Sequence, residues 1–158
     1  MKLLFLLLVG LPLTLFVLGR VGALRGKPPS YLGVTDGNLA RPALGKTNSV
    51  ASQFDGPAES YHSIAAIKPT SGSVESAMTR LRELVKTLPG CDIVRSEPNY
   101  LYAQCETKWL RFVDDVEFIA APEEGVIHVR SASRLGRKDF GVNRARIEHL
   151  RAQLSNQP

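Results

Sequence analysis

Two adjacent carboxylates, Asp114 and Asp115, are followed along the chain by Ser131, Ser133, Arg134, Asn143 and Arg146. Hydroxyls, a carboxamide and guanidinium groups of this kind can hold an anionic or hydroxylated ligand, the arginines through charge-assisted, bidentate hydrogen bonds. The same residues can instead form a structural ion pair that ties a loop to a sheet. Asp115, Glu117, His128 and Arg130 make a second candidate group, read as a cross-strand charge ladder of small energetic weight if exposed. Hydrolytic chemistry has little support, because no G-x-S-x-G elbow surrounds any serine. No metal site is expected: His62, His128 and His149 lack paired spacing, and two cysteines have too few partners for zinc. The loop RLGRKDFGVN offers Gly136 and Gly141, where backbone amides can approach an anion beside a helix start. It matches neither G-x-x-x-x-G-K-[ST] nor a strand-coupled G-x-G-x-x-G, so no nucleotide or other cofactor is expected.

The elements that must position these groups follow from periodicity. In SVESAMTRLRELVKTLPG, Val74, Ala77, Met78, Leu81, Leu84, Val85 and Leu88 recur at helical spacing, Ser73 can cap the start, and Pro89-Gly90 ends the helix. A second helix is expected from Asn143, as its N-cap, to Gln153, with Ile147, Leu150 and Leu154 as its apolar edge. Strands are expected in HSIAAIKP before the first helix and in CDIVRSE, NYLYAQCE, LRFVDDVEFIA and VIHVRSAS after it. The order β-α-β-β-β-β-α with short connections predicts an α+β two-layer sandwich, mainly antiparallel, with helices on one face.

Two hairpins can be registered in advance. A three-residue loop at 97–99 sets Cys91 opposite Cys105, where a disulfide is possible; the alternative is two reduced thiols. A four-residue loop from Ala121 to Glu124 sets Glu117 opposite His128, Val116 opposite Val129, Asp115 opposite Arg130 and Asp114 opposite Ser131. Phe112, Val116, Phe118, Ile127 and Val129 then share the apolar face with Asp114, for which Arg134 is the preferred partner. His128 and Ser131 fall on different faces, which further weakens a hydrolase reading.

The chain as a whole has 158 residues and a net charge of +5. From His128 to Arg151 seven Lys/Arg stand against two acids, so this one segment holds the entire excess. Such a surface suits an anionic ligand or anionic lipid headgroups. Nucleic acid is not expected, because Leu3 to Gly19 is an uncharged apolar run after Lys2 and before Arg20, as in exported or anchored proteins. At about 1.5 Å per residue the run reaches roughly 26 Å, near the bilayer's hydrocarbon thickness. An uncleaved transmembrane anchor through residues 3–19 is preferred, with the domain periplasmic or otherwise extracytoplasmic. The alternative is a signal peptide cleaved near Ala23, giving a secreted protein. The expected organisation is therefore a signal anchor or signal peptide (1–23), a Gly/Pro-rich tether or arm (24–60) and the α+β domain (61–158).

RFVDDVEF followed by IHVRSASRLGRKDFGVNRARIEHLR resembles the C-terminal signature of the domain of unknown function 1499, a family of bacterial and plastid proteins. YLGVTDGNLA and NSVASQ are similar to that family's N-terminal motif, so the likeness covers residues 31–153. It implies a membrane-associated or exported domain and no established activity. The family's recurring positions fall here on Phe112, Asp114, Asp115, Glu117, Arg130, Ser131, Ser133, Arg134, Gly136, Asp139, Gly141, Asn143, Arg146 and Arg151. One departure is Ser49, which stands where relatives often carry a cysteine, with a second expected near Pro42. A role resting on that cysteine pair is absent from this chain. The functional expectation is a ligand- or partner-binding module at the strand-end cluster; an enzyme at the same cluster and a purely structural envelope protein are the alternatives.

Overall fold

The computed structural model describes residues 9–155. Helix α1 spans Leu11–Arg20, β1 Ser49–Ala51, α2 Val74–Thr87, β2 Cys91–Ser96, β3 Tyr100–Glu106, β4 Val113–Ala121, β5 Val126–Ser133 and α3 Val142–Ser155. The strands form one antiparallel sheet in the order β1-β5-β4-β3-β2. The α+β class and the antiparallel sheet are as expected. No helix among the described residues is long and apolar enough to cross a membrane. Helix α1 takes in residues 11–19 of the uncharged run 3–19 and ends on Arg20; residues 3–8 of the run lie outside the described part.

The first strand is not where the sequence suggested. Residues 62–69 form only isolated bridges, Ser63 with Ala51 and Ile67 with Ile127. Ile64 and Ile67 are both buried three positions apart, a spacing that an alternating strand cannot put on one face. The edge partner of β5 is instead Ser49–Ala51, from the stretch read as a tether. Its backbone continues the pairing outwards: the Ser133 N–H donates to the Asn48 carbonyl at 2.9 Å, and the Thr47 N–H donates to the Arg137 carbonyl at 2.7 Å. Gly, Pro and Ser composition hides this pairing, because a stretch without periodicity can still hydrogen-bond to a sheet edge through its backbone.

One face of the sheet carries α2 and α3 over the apolar core. Met78, Leu81, Leu101, Val116, Phe118, Ile127, Val129, Ile147 and Leu150 meet there, nearly free of solvent contact. Ser73 caps α2 as expected, its Oγ accepting from the Ser76 N–H at 3.2 Å. Helix α3 begins at Val142, so Asn143 lies inside its first turn instead of capping it. The cap is supplied from outside the helix by Asp139, whose carboxylate accepts the backbone N–H groups of Gly141 and Asn143 at 3.1 Å each.

The β4–β5 hairpin is offset by two residues from the expected register. Asp114 faces Ser133, Asp115 faces Ala132, Val116 faces Ser131 and Glu117 faces Arg130. Ala121 stays in the strand opposite Val126, and the reversal is made by a 3-10 turn at Pro122–Glu124 and Gly125 at φ 69°. A two-residue offset preserves the faces, so Val116, Phe118, Ile127 and Val129 stay inward and Asp115, Glu117, His128 and Arg130 outward while the partners change; Phe112, expected inward, lies before β4 and outside the core cluster.

Cys91 does face Cys105, and the two are joined as a disulfide. Val94 is an extra residue that shifts the pairing beyond it, so Arg95 faces Tyr102. Closing a loop of this size contributes about 3 kcal/mol by restricting the unfolded chain.

Candidate functional site

Strand β4 sends successive carboxylates to opposite sides of the sheet. Asp114 points under α3, where Arg146 donates to its Oδ2 at 2.7 Å. The same guanidinium reaches Ser131 Oγ at 3.1 Å and Asn143 Oδ1 at 3.0 Å. The Asn143 amide nitrogen lies within 2.8–3.2 Å of Asp139 Oδ2, Ser133 Oγ and the Asn48 carbonyl. Five of the six residues in the first candidate set, Asp114, Ser131, Ser133, Asn143 and Arg146, are therefore brought together. The expected Asp114–Arg134 pair is not formed, because Arg134 leaves the end of β5 towards the other face. The network is closed: its polar groups use one another, which suits a scaffold that fixes α3 and β1 to the sheet.

On the other face, where the sequence predicts an exposed charge ladder, burial reverses the expectation. Asp115, Glu117 and Arg130 are at most 2% exposed, and His128 is also buried. The cover is the N-terminal arm. Gly33 donates its N–H to Glu117 Oε1 at 2.7 Å, Tyr31 stacks over the Arg130 guanidinium at 5.0 Å, and Leu39 packs with Tyr100 and Tyr102. Beneath it, Arg130 donates to Glu117 Oε2 at 2.9 Å. Arg134 grips Asp115 with Nε and Nη2, at 2.9 Å to Oδ2 and 2.7 Å to Oδ1. Tyr100 donates to Glu117 at 2.7 Å and Tyr102 to Asp115 at 2.6 Å. Burial, reinforced by these carboxylates, pushes both phenols above their ordinary range. Hydrogen bonding to Asp115 holds Arg134 firmly protonated against the opposing effect of burial.

A cavity of about 90 Å³ opens between this face and the arm, lined by Lys27, Tyr31, Lys46, Ser49, Asp115, Arg130 and Arg134 among others. That is room for a few waters or one phosphate- or carboxylate-sized group. Among the described residues only Ser49 Oγ, Arg80 Nε and Arg130 Nε are buried side-chain polar atoms with no hydrogen-bond partner. Two of those three belong to residues lining this one cavity. Arg130 and Arg134 are balanced by Glu117 and Asp115, whereas Lys27 and Lys46 have no ion-pair partner among the described residues. The walls thus carry surplus positive charge beside two unused polar atoms.

Two further polar groups need placing. Ser52 Oγ lies 3.2 Å from His128 Nδ1, and His128 Nε2 lies 3.1 Å from Glu124. The order resembles a relay, but the serine oxygen already accepts the Val129 N–H at 2.9 Å and is held against the strand. His128 therefore joins the arm to β5 and stands apart from the cavity. On the helix side, Tyr61 donates to Asp139. Burial pushes the Asp139 carboxyl up, but hydrogen bonds from Tyr61, Asn143 and the backbone outweigh it and hold the group below its usual range. Burial, the hydrogen bond to Asp139 and its charge raise Tyr61 to about 12.

Asp139 stabilises the fold fully above its unfolded pKa, and this is lost as pH falls through the lower folded value. Tyr61 contributes fully below its ordinary value near 10, and this is lost as pH rises through about 12. Ultraviolet titration should show a phenol ionising near pH 12 that is missing from Tyr61→Phe. Superimposable curves for the two proteins would refute the assignment.

The sequence singled out Arg130, Arg134, Ser133 and Asp115 but missed Lys27, Tyr31, Lys46 and Ser49, all from the arm. No local signal marked these arm residues, because the charged outward face of β4 and β5 reads like that of any solvated strand. No curated protein and no solved structure matches the chain. The family described as "Protein of unknown function (DUF1499)" matches over residues 40–154, which takes in every strand, helix α2, all but the last residue of α3 and the cavity residues from Ala43 to Arg134. With most of its length so matched, the chain belongs to the DUF1499 family.

Proposed function

We propose that this protein is a membrane-tethered, extracytoplasmic binding module whose cavity between arm and sheet takes a small anionic ligand, one bearing a phosphate or carboxylate. The observation that carries the reading is that Ser49 Oγ and Arg130 Nε, both buried and unpartnered, belong to residues that line one cavity with surplus positive charge. A buried donor left unpaired costs about 1–3 kcal/mol, so a ligand oxygen that satisfies it gains that much on binding. Lys27 and Lys46, exposed at the rim, draw the anion in, and the Glu117–Arg130 pair holds the guanidinium in place. The tether is supported by the uncharged run 3–19, and the oxidising compartment by the Cys91–Cys105 bridge.

Calorimetric titration of the full chain with inorganic phosphate and with acetate, at fixed ionic strength, tests the reading. Binding of at least one anion is expected, weakened at least tenfold in the Lys27→Gln/Lys46→Gln double variant. Ser49→Ala separates site from scaffold. It should leave the ligand-free protein equally stable or stabilise it by up to about 1 kcal/mol, because a desolvated hydroxyl is removed. It should weaken the anion about 10- to 100-fold through loss of a charge-assisted hydrogen bond. No heat with any anion, or equal affinity in all variants, would remove the cavity from consideration.

A further inference from the structure

Helix α1 carries apolar side chains around its whole circumference. Leu11, Leu13, Phe16, Val17 and Leu18 are all exposed, and Val21 just beyond the helix is 71% exposed. A helix apolar on every side belongs inside protein or lipid. The domain covers it only at its end, where Gly19 is buried against the loop Thr107–Arg111. A Cβ at Gly19 would stand 2.7 Å from the Leu110 carbonyl oxygen, so helix and loop touch backbone to backbone. The residue before Leu110 in that loop, Trp109, is 66% exposed, with the Lys108 ammonium 5.4 Å above its ring. Arg20 is exposed at the helix end, and Arg25 and Arg111 converge on Glu106 beside it.

An exposed tryptophan, a lysine and several arginines thus surround the point where an apolar helix enters the domain. Indole rings partition to the headgroup level of a bilayer, and lysine and arginine beside them meet anionic headgroups. We infer that the loop Thr107–Arg111 is a bilayer-docking surface, with Trp109 seated in the headgroup layer beside α1 and Lys108 engaging anionic lipid. The inference rests on the tether reading and goes beyond it: a tether alone leaves the domain free to swing, whereas this contact holds it against the membrane. A soluble protein partner would also cover an exposed indole, but continuity with α1 and the cationic surroundings favour lipid.

The chain has a single tryptophan, so its fluorescence reports this loop alone. The full chain is reconstituted into phosphatidylcholine/phosphatidylglycerol vesicles and floated on a density gradient, which tests the tether. Trp109 should then be quenched by lipids brominated near the headgroup and shielded from aqueous acrylamide. Lys108→Glu should lose part of the lipid quenching while floating as before. A chain that floats but leaves Trp109 open to acrylamide and untouched by brominated lipid overturns the docking inference and keeps the tether. A chain that does not float overturns both.

Discussion

Replacing Glu117 by alanine should lower the stability of the protein by about 3–5 kcal/mol, the cost of stranding a buried partner charge. Arg130 would stay at 2% exposure without its carboxylate, and the Gly33 N–H and Tyr100 hydroxyl would lose their acceptor in the same step. Arg130→Met should cost a comparable amount by leaving Glu117 charged and fully buried. The double variant Glu117→Leu/Arg130→Met is the informative one. Replacing both members of a buried pair by apolar groups is often neutral or stabilising, so most of the loss should be recovered. Urea unfolding of the four proteins measures the coupling; additive losses would show that the two side chains do not act as a pair. If the double variant folds as well as the wild type yet no longer binds anion, the pair is retained for binding. Its stability alone would not explain its presence.

Asn143→Ala is the second large effect, again about 3–5 kcal/mol, for a different reason. No charge pair is broken, but five groups lose a partner at a largely buried position: Asp139 Oδ2, Ser133 Oγ, the Asn48 carbonyl, Ser131 Oγ and the Arg146 guanidinium. The backbone cap from Asp139 to the Asn143 N–H survives, so helix α3 itself should persist. The loss should concentrate on the docking of β1 and α3, since both are joined to β5 through this carboxamide. Hydrogen exchange should therefore accelerate first at Ser49–Ala51, β1, with the Met78 and Leu81 region of α2 following only at global unfolding. Uniform acceleration across the sheet would contradict this division. Anion binding to the opposite face should persist in whatever fraction remains folded.

These two residues also show how much could be read before folding. Helix α2 was legible because its seven apolar positions keep one period between a serine cap and Pro89-Gly90, a purely local matter. The Cys91–Cys105 pairing came out as expected although the turn did not: Arg95 faces Tyr102, one position off the register of a three-residue loop, and the extra residue Val94 restores that register at Cys91. The face assignment on β4 and β5 survived a wrong loop boundary, since a two-residue offset leaves the pleat unchanged. What failed was long-range. Asp114 could be given a guanidinium partner but not the right one, because Arg146 and Arg134 differ only in which side of the sheet the chain takes after Ser133. Asp115, Glu117 and Arg130 alternate with apolar residues as any solvated strand face does. Nothing local distinguishes them from a buried row until the arm, some eighty residues earlier, is seen to cover them. The arm itself lacked periodicity because it is held by backbone pairing and isolated side chains such as Tyr31 and Leu39. The candidate cavity was therefore visible only by half.

The most direct test of the account is the proton-detected nitrogen resonance of Arg130 Nε–H, assigned by comparison with Arg130→Lys and followed during titration with inorganic phosphate. Burial should slow its exchange with water enough to make the signal observable. The account predicts that this resonance moves and saturates in step with the calorimetric affinity, as the unpaired donor takes up the phosphate oxygen, and that Ser49→Ala weakens the response. A resonance that stays fixed throughout the titration would contradict the claim that this cavity is an anion site.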